Sequence, residues 1–267
     1  MIPSRVLIIS PNWIGDAIMA QPLLQLLRQR YPDVAIDVLA PAWVAPVWQA
    51  MEEVNQVHES TFKHGKLQLK DRWAMAKFLR TLNYDQAYVL PNTLKFALIP
   101  WLAKIPERIG YLGESRYGLL NVIHHDDKRH PRPMMAFYAA LIDKPDGNIE
   151  GRFESLHPRL HVDEKAVVAV KKKLNLEKDT MIVAFSPGAE FGSAKRWPVS
   201  HFSALAARII QCYPGTQIVL LGSNKDNDVC EAIHSNVPGT LNLAGKTSLK
   251  EAVALIAGID ILVTNDS

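Results

Sequence analysis

The chain of 267 residues has little of what marks several large protein classes. Its two cysteines, Cys212 and Cys230, provide neither a disulfide framework nor a metal-ligand spacing, which favours a reducing cytosol. No apolar run reaches the ~18 residues of a membrane-spanning helix, and the formal net charge of +3 is too small for a general nucleic-acid binder. We therefore expect a cytoplasmic protein that is neither secreted nor integral to a membrane.

Several catalytic signatures are absent as well. The sequence contains no Walker A motif, no GxGxxG and no GxSxG, which argues against kinases, dehydrogenases and hydrolases. His124, His125, Asp126 and Asp127 are adjacent, but neighbours in an extended segment point to opposite faces, and no HExxH spacing accompanies them. We expect no bound metal ion and no cofactor.

What the sequence does have is a regular alternation of apolar strands and amphipathic helices, which is typical of α/β proteins with parallel sheets and right-handed crossovers. In its first part, this pattern predicts strands at residues 6–10, 35–40, 54–58, 86–90 and 108–111 and helices at residues 66–82 and 94–103. Pro22 predicts either a separate turn at residues 16–21 before a helix at 22–30, or a single kinked helix.

A second alternating set follows. It predicts strands at residues 181–185, 217–221 and 261–264 and helices at residues 163–174, 199–212, 226–234 and 249–257. Between the two sets, residues 143–158 contain the turn-forming run DKPDGN and little apolar periodicity. We place a linker there, and we predict two domains at residues 1–158 and 159–267.

The segment SPGAEFGSAKRWP, residues 186–198, is the most informative stretch of the chain. It follows a predicted buried strand, at the end of the sheet where open α/β folds bind ligands. Its small residues let backbone N–H groups approach an anion, and Lys195 and Arg196 add positive charge. The segment predicts a phosphate site. Alternatively, these two side chains are solvated surface charges, with Arg196 paired to Glu190.

Asp16 is the candidate for proton transfer. It comes shortly after the first predicted strand and is preceded by Gly15, which would expose its carboxylate at the edge of the sheet. A carboxylate within hydrogen-bond reach of a hydroxyl can act as a general base. The alternative is that Asp16 only caps the following helix.

Several strings, taken in order, identify a family. They are residues 12–16 (NWIGD), 89–95 (VLPNTLK), 116–121 (RYGLLN), the segment 186–198 and residues 263–267 (VTNDS). Together they resemble the lipopolysaccharide heptosyltransferases, glycosyltransferase family 9. The resemblance implies the α/β fold called GT-B, in which two doubly wound Rossmann-like domains face a cleft. The family pattern continues beyond Ser267, so we expect the second domain to be incomplete in this chain.

The resemblance also implies an activity. It is the inverting transfer of heptose from ADP-L-glycero-D-manno-heptose to a heptosyl-Kdo2-lipid A acceptor at the cytoplasmic face of the inner membrane, without a metal ion. Asp16 would be the base, and Lys195 would stabilise the departing ADP. A nucleotide-sugar epimerase of the same architecture and a non-catalytic nucleotide-sugar-binding fragment remain alternatives.

The two domains would divide the substrates. The first would bind the acceptor through Asn12, Trp13, Lys95, Arg108 and Arg116. The second would bind the donor through Gly188, Ala189, Glu190, Lys195, Ser223, Asp226, Thr247, Asp266 and Ser267. Asp226 could instead cap the helix that follows it.

A basic segment supports contact with a lipid surface. Residues 61–80 hold six Lys or Arg against one acid, Asp71, and Trp73, Phe78 and Leu79 lie between these charges. Such a segment can meet lipid phosphates. It can also be an ordinary solvated helix face.

Overall fold

The structure, a computed structural model, describes residues 2–62, 65–127, 129–130, 132–145, 156–177, 180–189 and 193–265. The chain divides into two compact units, Met1–His161 and Val162–Ser267. Most of the predicted linker, residues 146–155, lies outside the described residues. Each unit is an α/β layer structure with its own parallel sheet.

The first unit contains a sheet of six strands, which are all parallel. The strands are β1 (Arg5–Ile9), β2 (Ala35–Pro41), β3 (Gln56–Ser60), β4 (Gln86–Val89), β5 (Glu107–Tyr111) and β6 (Val122–His124). Their order in the sheet is β3-β2-β1-β4-β5-β6, which is the order of the Rossmann fold. Residues 6–9 of β1 are all apolar and fully buried, as expected of a parallel strand covered on both faces.

The described residues of this unit form six α-helices: α1 (Ile14–Met19), α2 (Gln21–Arg30), α3 (Ala45–Gln49), α4 (Leu69–Arg80), α5 (Leu94–Leu102) and α6 (Met134–Ala139). Right-handed crossovers from β1 to β2 and from β4 to β5 run in opposite directions along the sheet, so α2 and α5 cover opposite faces. α4 and α5 share one core with β1 and β4, in which Leu7, Val89, Leu79 and Phe96 pack together.

Pro22 marks a separation of two elements, as the first alternative predicted, but the first element is a short helix at residues 14–19 and not a turn at residues 16–21. α1 ends at Met19, and α2 begins at Gln21 with Pro22 in its first turn. A proline there removes no helical hydrogen bond, because the first N–H groups of a helix have no partner within it.

The second unit has a parallel sheet of four strands in the order β10-β7-β8-β9. The strands are β7 (Ile182–Ser186), β8 (Gln217–Leu220), β9 (Thr240–Asn242) and β10 (Ile261–Thr264), and the helices are α7 (Glu164–Lys173), α8 (Val199–Cys212), α9 (Asn227–Asn236) and α10 (Leu249–Ala257). Ile182 packs with residues of α7 and α10. Phe185 packs with residues of α8 and α9. Helices therefore cover both faces of this sheet.

Four short elements, β6, β9, α3 and α6, were not predicted from the sequence. The two strands have three residues each and lie at sheet edges, so they carry no full alternating pattern. None of the helices in the described parts of the chain is long and apolar enough to cross a membrane.

Candidate functional site

A pocket opens where the strand order of the first unit reverses. The sheet runs from β1 to β2 in one direction and from β1 to β4 in the other, and open α/β sheets bind ligands beyond the carboxyl ends of the strands at such a point. The pocket has a volume of about 440 Å³. Its lining comes from the loop after β1, the loop after β4 and the segment around α6: Pro11, Asn12, Trp13, Asp16, Leu90, Pro91, Asn92, Asp126, Arg132, Met134, Phe137 and Tyr138.

Three sequence-predicted residues meet in this pocket: Asn12, Trp13 and Asp16. Asp16 is the third residue of α1 and is half-buried. The N-cap of the helix is Trp13, and α1 has no side-chain cap hydrogen bond, so capping does not explain the carboxylate. Burial raises the pKa of Asp16. A carboxylate with a raised pKa beside a cavity has the character of a general base.

The loop that carries these residues is held by two tryptophans. The indole N–H of the fully buried Trp48 donates to Ser10 Oγ at 2.7 Å, and this hydroxyl donates to the carbonyl of Pro11 at 2.7 Å. Trp43 donates to the carbonyl of Asn12 at 3.0 Å. The main chain before α1 is thereby fixed, and with it the position of Asp16 at the pocket.

Arg116 lies behind the wall of the pocket and is fully buried. Its guanidinium donates to the carbonyl of Pro91 at 2.6 Å, to Asn92 Oδ1 at 3.2 Å and to the carbonyl of Tyr111. Burial lowers its pKa to about 10. Arg116 therefore shapes the loop after β4. A direct contact between Arg116 and the acceptor stays a prediction, and the burial of the side chain does not support it.

The other two predicted acceptor residues do not line the pocket. Lys95 is the second residue of α5, half-buried, with its Nζ 5.8 Å from the ring centre of Phe96. Arg108 lies at the amino end of β5, where its side chain donates to the carbonyls of Leu119 at 2.6 Å and Ile105 at 2.7 Å. Because the strands are parallel, this is the opposite end of the sheet from Asp16.

Sequence reasoning missed several lining residues, namely Asn92, Asp126, Arg132 and Tyr138. Asp126 was considered only as a metal ligand, and α6, which carries Tyr138, was not predicted. The phenol of Tyr138 has its pKa raised by burial and then by the charge of Asp16. Arg132 is exposed and contributes a cation to the pocket rim.

In the second unit, the reversal of strand order lies between β10 and β7. The segment 186–198 begins at the carboxyl end of β7, and Asn265 follows β10. The Nδ2 of Asn265 donates to the carbonyls of Pro187 at 2.8 Å and Gly188 at 3.3 Å, while its Oδ1 accepts from the amide of Trp197 at 3.0 Å. One side chain thus joins the two described ends of this segment.

The end of the segment is anchored in the core. The ring of Trp197 packs edge-to-face on that of the buried Phe202 at 5.0 Å. Arg196 donates to the carbonyl of Ala189 at 3.0 Å, which is a second bond between the two described ends of the segment. Lys195 lies in a 3₁₀ turn, Ser193–Lys195, and is exposed just before α8.

Asp226 meets the same segment. Its carboxylate accepts from the amide and hydroxyl of Ser223, each at 2.8 Å. The two residues form a capping box at the 3₁₀ turn Asn224–Asp226 that leads into α9, in line with the capping alternative, although Asp226 makes no side-chain cap to α9 itself. A Cβ atom on Gly188 would collide with the Asp226 carboxylate, so glycine is needed for this close approach. The structure therefore brings together Gly188, Ser223 and Asp226.

Thr247 is half-buried and precedes Ser248, the N-cap residue of α10. There Ser248 and Glu251 form a capping box, and hydrogen bonds from Lys173 and Ser248 lower the pKa of Glu251 to about 2. Ala189 is buried. Three predicted donor residues, Glu190, Asp266 and Ser267, lie outside the described residues. Within the described residues, no group of three or more His, Cys, Asp or Glu could hold a metal ion. Catalysis without a metal stays a prediction.

Comparison with known proteins gives a consistent set of relatives. The family model of glycosyltransferase family 9 (heptosyltransferase) matches residues 72–267. Lipopolysaccharide heptosyltransferase 2 of Salmonella typhimurium is 42% identical over 98% of this chain and 77% of its own length.

Among solved structures, E. coli ADP-heptose LPS heptosyltransferase II has a TM-score of 0.89 at 39% identity and covers 98% of this chain and 79% of its own. E. coli heptosyltransferase WaaC with ADP-2-deoxy-2-fluoro heptose has a TM-score of 0.70 at 18% identity, over 98% of this chain and 83% of its own. This second likeness concerns the fold alone. The two parallel sheets and the first match confirm the predicted α/β fold of GT-B type.

Proposed function

Because the chain belongs to glycosyltransferase family 9, the heptosyltransferases, we propose that it moves heptose from ADP-L-glycero-D-manno-heptose to heptosyl-Kdo2-lipid A. That it transfers heptose in the biosynthesis of the lipopolysaccharide inner core follows from relatives of that activity at 40–42% identity. The proposal goes further, because it also names the donor, the acceptor and the residues that act on them. An epimerase and a non-catalytic fragment are not favoured by these relatives.

An ADP-sugar donor is supported by the chemistry of the segment after β7 and by a relative. WaaC has been solved with ADP-2-deoxy-2-fluoro heptose. In this chain, the segment after β7 offers main-chain groups at Gly188 and Ala189 and a cation at Lys195, beside the N-terminus of the 14-residue helix α8. A diphosphate fits such a combination. We assign the ribose to Asp226 and the adenine side to the turn at Thr247.

The reaction is a single displacement. Asp16 takes the proton of the acceptor hydroxyl, and the hydroxyl oxygen attacks the anomeric carbon of the heptose. The bond between this carbon and the β-phosphate oxygen breaks, and its electron pair leaves with ADP. Because the attack comes from the face opposite the leaving group, the configuration at the anomeric carbon inverts.

Charge develops on the β-phosphate as ADP leaves. Lys195 and the N-terminal dipole of α8 stabilise that charge, since fixed positive groups at the site of a developing anion lower the barrier. On the acceptor side, Asn12, Trp13 and Arg132 line the pocket. Arg132 offers its guanidinium to anionic groups of the acceptor, while Arg116 holds the loop that shapes the pocket. Contact of the protein with the inner membrane is part of the same proposal.

One observation carries this assignment: Asp16 is the half-buried carboxylate of the pocket at the strand reversal, with a raised pKa. The test is Asp16→Asn, assayed with ADP-heptose and a deacylated acceptor. We expect turnover to fall by about 10²–10⁴-fold, with the ADP affinity unchanged, because the base acts on the acceptor.

Asp33→Asn is the matched control, since Asp33 is an exposed carboxylate of the same unit outside the pocket. Near-normal turnover of Asp16→Asn would refute the assignment. The anomeric configuration of the product, determined by NMR, tests inversion. A changed nucleotide sugar formed without acceptor would instead identify an epimerase.

A further inference from the structure

One side of α4 combines aromatic and basic residues. Successive helical residues are about 100° apart, so Leu69, Lys70, Trp73, Lys77 and Arg80 fall within one sector of about 100°. Leu69 is 55% exposed and Trp73 50% exposed, which are large values for apolar side chains. The Nζ of Lys77 lies 3.6 Å from the ring centre of Trp73. Asp71, the one acid in the sequence of α4, projects from another side of the helix.

Two residues of the basic segment that the sequence analysis considered for lipid contact, Arg72 and Leu79, are fully buried. The Arg72 guanidinium lies over the ring of Phe62 at 4.3 Å and over that of Phe96 at 5.0 Å, and it donates to the carbonyl of Leu67 at 2.6 Å. These two residues therefore cannot meet a lipid, and Lys63 lies outside the described residues.

The apolar surface continues on α5. Leu94, Leu98 and Trp101 follow a spacing of four and three residues, which places them on one side of the helix. Leu94 is exposed, Leu98 is half-buried and Trp101 is 47% exposed. Arg80 donates to the carbonyl of Leu102 at the end of α5, so the two helix surfaces adjoin.

We propose that this surface, the α4–α5 face formed by Leu69, Lys70, Trp73, Lys77, Arg80, Leu94 and Trp101, docks on a bilayer that contains anionic lipids. Tryptophan and leucine enter the boundary between headgroups and acyl chains, and the cations pair with lipid phosphates. The inference rests on the proposed function, because a lipid-linked acceptor must be met at a bilayer surface.

The position of the face fits that role. Leu94 opens α5 only two residues after Asn92, which lines the pocket of Asp16. A bilayer held against α5 would thus lie beside the loop that shapes the acceptor pocket. A second copy of the chain is a poorer occupant, because a two-fold contact through this face would oppose Lys70, Lys77 and Arg80 to the same cations.

The test is sedimentation of the full chain with vesicles. We expect binding to an equimolar mixture of phosphatidylcholine and phosphatidylglycerol, little binding to phosphatidylcholine alone, and release at about 1 M salt, where charge interactions extend only ~3 Å. Lys70→Glu with Lys77→Glu should weaken binding to the anionic vesicles by about tenfold or more.

The chain offers a matched control. Lys165 and Lys172 on α7 are exposed and have the same seven-residue spacing, so Lys165→Glu with Lys172→Glu changes the net charge equally. This control should bind like the wild type. Trp73→Ser tests the apolar part without changing charge, with Tyr213→Ser, an exposed aromatic of the second unit, as its control. Trp73→Ser also keeps the proposal testable if the variant with Lys70→Glu and Lys77→Glu fails to fold.

Equal vesicle binding by the α4 variants and their controls would overturn the proposal. The proposal would also be overturned if the wild type formed a dimer in sedimentation velocity and the α4 substitutions dissociated it. Transfer to a deacylated acceptor should be unchanged in the α4 variants, whereas transfer to vesicle-embedded acceptor should fall. If the wild type transferred heptose to neither acceptor, the proposed function would fail, and vesicle binding would still decide the role of the face.

Discussion

The side-chain amide of Asn265 donates to the carbonyl of Pro187 across 2.8 Å, which joins the residue after β10 to the segment after the neighbouring β7. The same side chain accepts from the amide of Trp197. Both ends of the segment with Lys195 are therefore held by one residue at the reversal of strand order.

Replacing Asn265 should loosen this segment. We expect Asn265→Ala to weaken ADP binding by about tenfold or more, because three hydrogen bonds worth ~1 kcal/mol each no longer order the main chain. Calorimetric titration with ADP measures the change. Asn236→Ala, which removes a single side-chain bond to Ser203, is the control. An unchanged ADP affinity in Asn265→Ala would argue against the role of this clamp.

Lys195→Ala should reduce turnover by about 10²–10³-fold, which is typical for the loss of one preorganised group that stabilises a developing charge. ADP binding should weaken as well. Steady-state kinetics with saturating acceptor provide the test, and Lys172→Ala, an exposed lysine of the same unit, is the control. Equal effects of the two substitutions would assign the leaving-group role to another residue.

Transfer should survive thorough chelation, because positive charge from Lys195 and the start of α8 takes the place of a metal ion. The measurement is the turnover of the same preparation before and after EDTA treatment. Loss of activity in EDTA with recovery in Mg²⁺ or Mn²⁺ would show that this electrostatic account is wrong.

Arg116→Lys should raise the KM for the acceptor and lower stability by about 2 kcal/mol, because an ammonium cannot reach all three oxygens that the buried guanidinium serves. Arg108→Lys is matched to it, since Arg108 also donates to main-chain carbonyls but at the other end of the sheet. We expect Arg108→Lys to lower the stability and to leave the KM for the acceptor unchanged. An acceptor KM raised equally in both variants would mean that Arg116 has no particular part in positioning the pocket.

Asp37 makes stability depend on pH. Burial opposes its ionisation, yet the His58 ring 3.8 Å away and hydrogen bonds from Asn55, Tyr84 and Arg5 hold its pKa well below the usual range. A lowered folded-state pKa contributes stability above the unfolded value of ~3.9, and this contribution is lost as the pH falls below it.

Asp37→Asn should therefore cost about 3 kcal/mol near neutral pH, where it leaves the partners of a buried charge unpaired. Its disadvantage relative to the wild type should stay constant from about pH 7 down to about 4 and shrink as the pH falls further toward the lowered folded-state pKa. Denaturant unfolding across this range measures it, with the exposed Asp33→Asn as control. A constant difference at every pH would contradict the assignment.

The sequence predicts long elements well, and α8, α10 and β10 have the predicted bounds. In α10, the Ser248–Glu251 capping box marks the start, and in α8 an apolar stripe with a preceding Pro198 does the same. β6 and β9 are defined by pairing with the strand that precedes each of them, β5 and β8, and a three-residue segment is too short to show an alternating pattern.

The same distinction applies to the candidate sites. Asn12, Trp13 and Asp16 lie together because they follow one strand closely, which local sequence can predict. The burial of Arg116 depends on carbonyls from Pro91 and Tyr111, more than 20 residues and 5 residues away, and a lone arginine in a sequence ordinarily indicates surface. Arg108 was expected beside the acceptor because it lies near the end of a predicted strand, but that strand, residues 108–111, places it at the amino end, whereas ligands bind beyond the carboxyl ends.

The two strand reversals have a consequence for how such an enzyme diversifies. Under the proposed function, the acceptor is bound by loops after β1 and β4 and the donor by loops after β7 and β10, and each pair of loops stands on a sheet with its own buried core. Substitutions in one pair of loops leave the buried core under the other pair in place. We therefore expect that a lineage can change which glycolipid it extends while keeping its nucleotide sugar, and that a designer can exchange the first pair of loops for the same purpose.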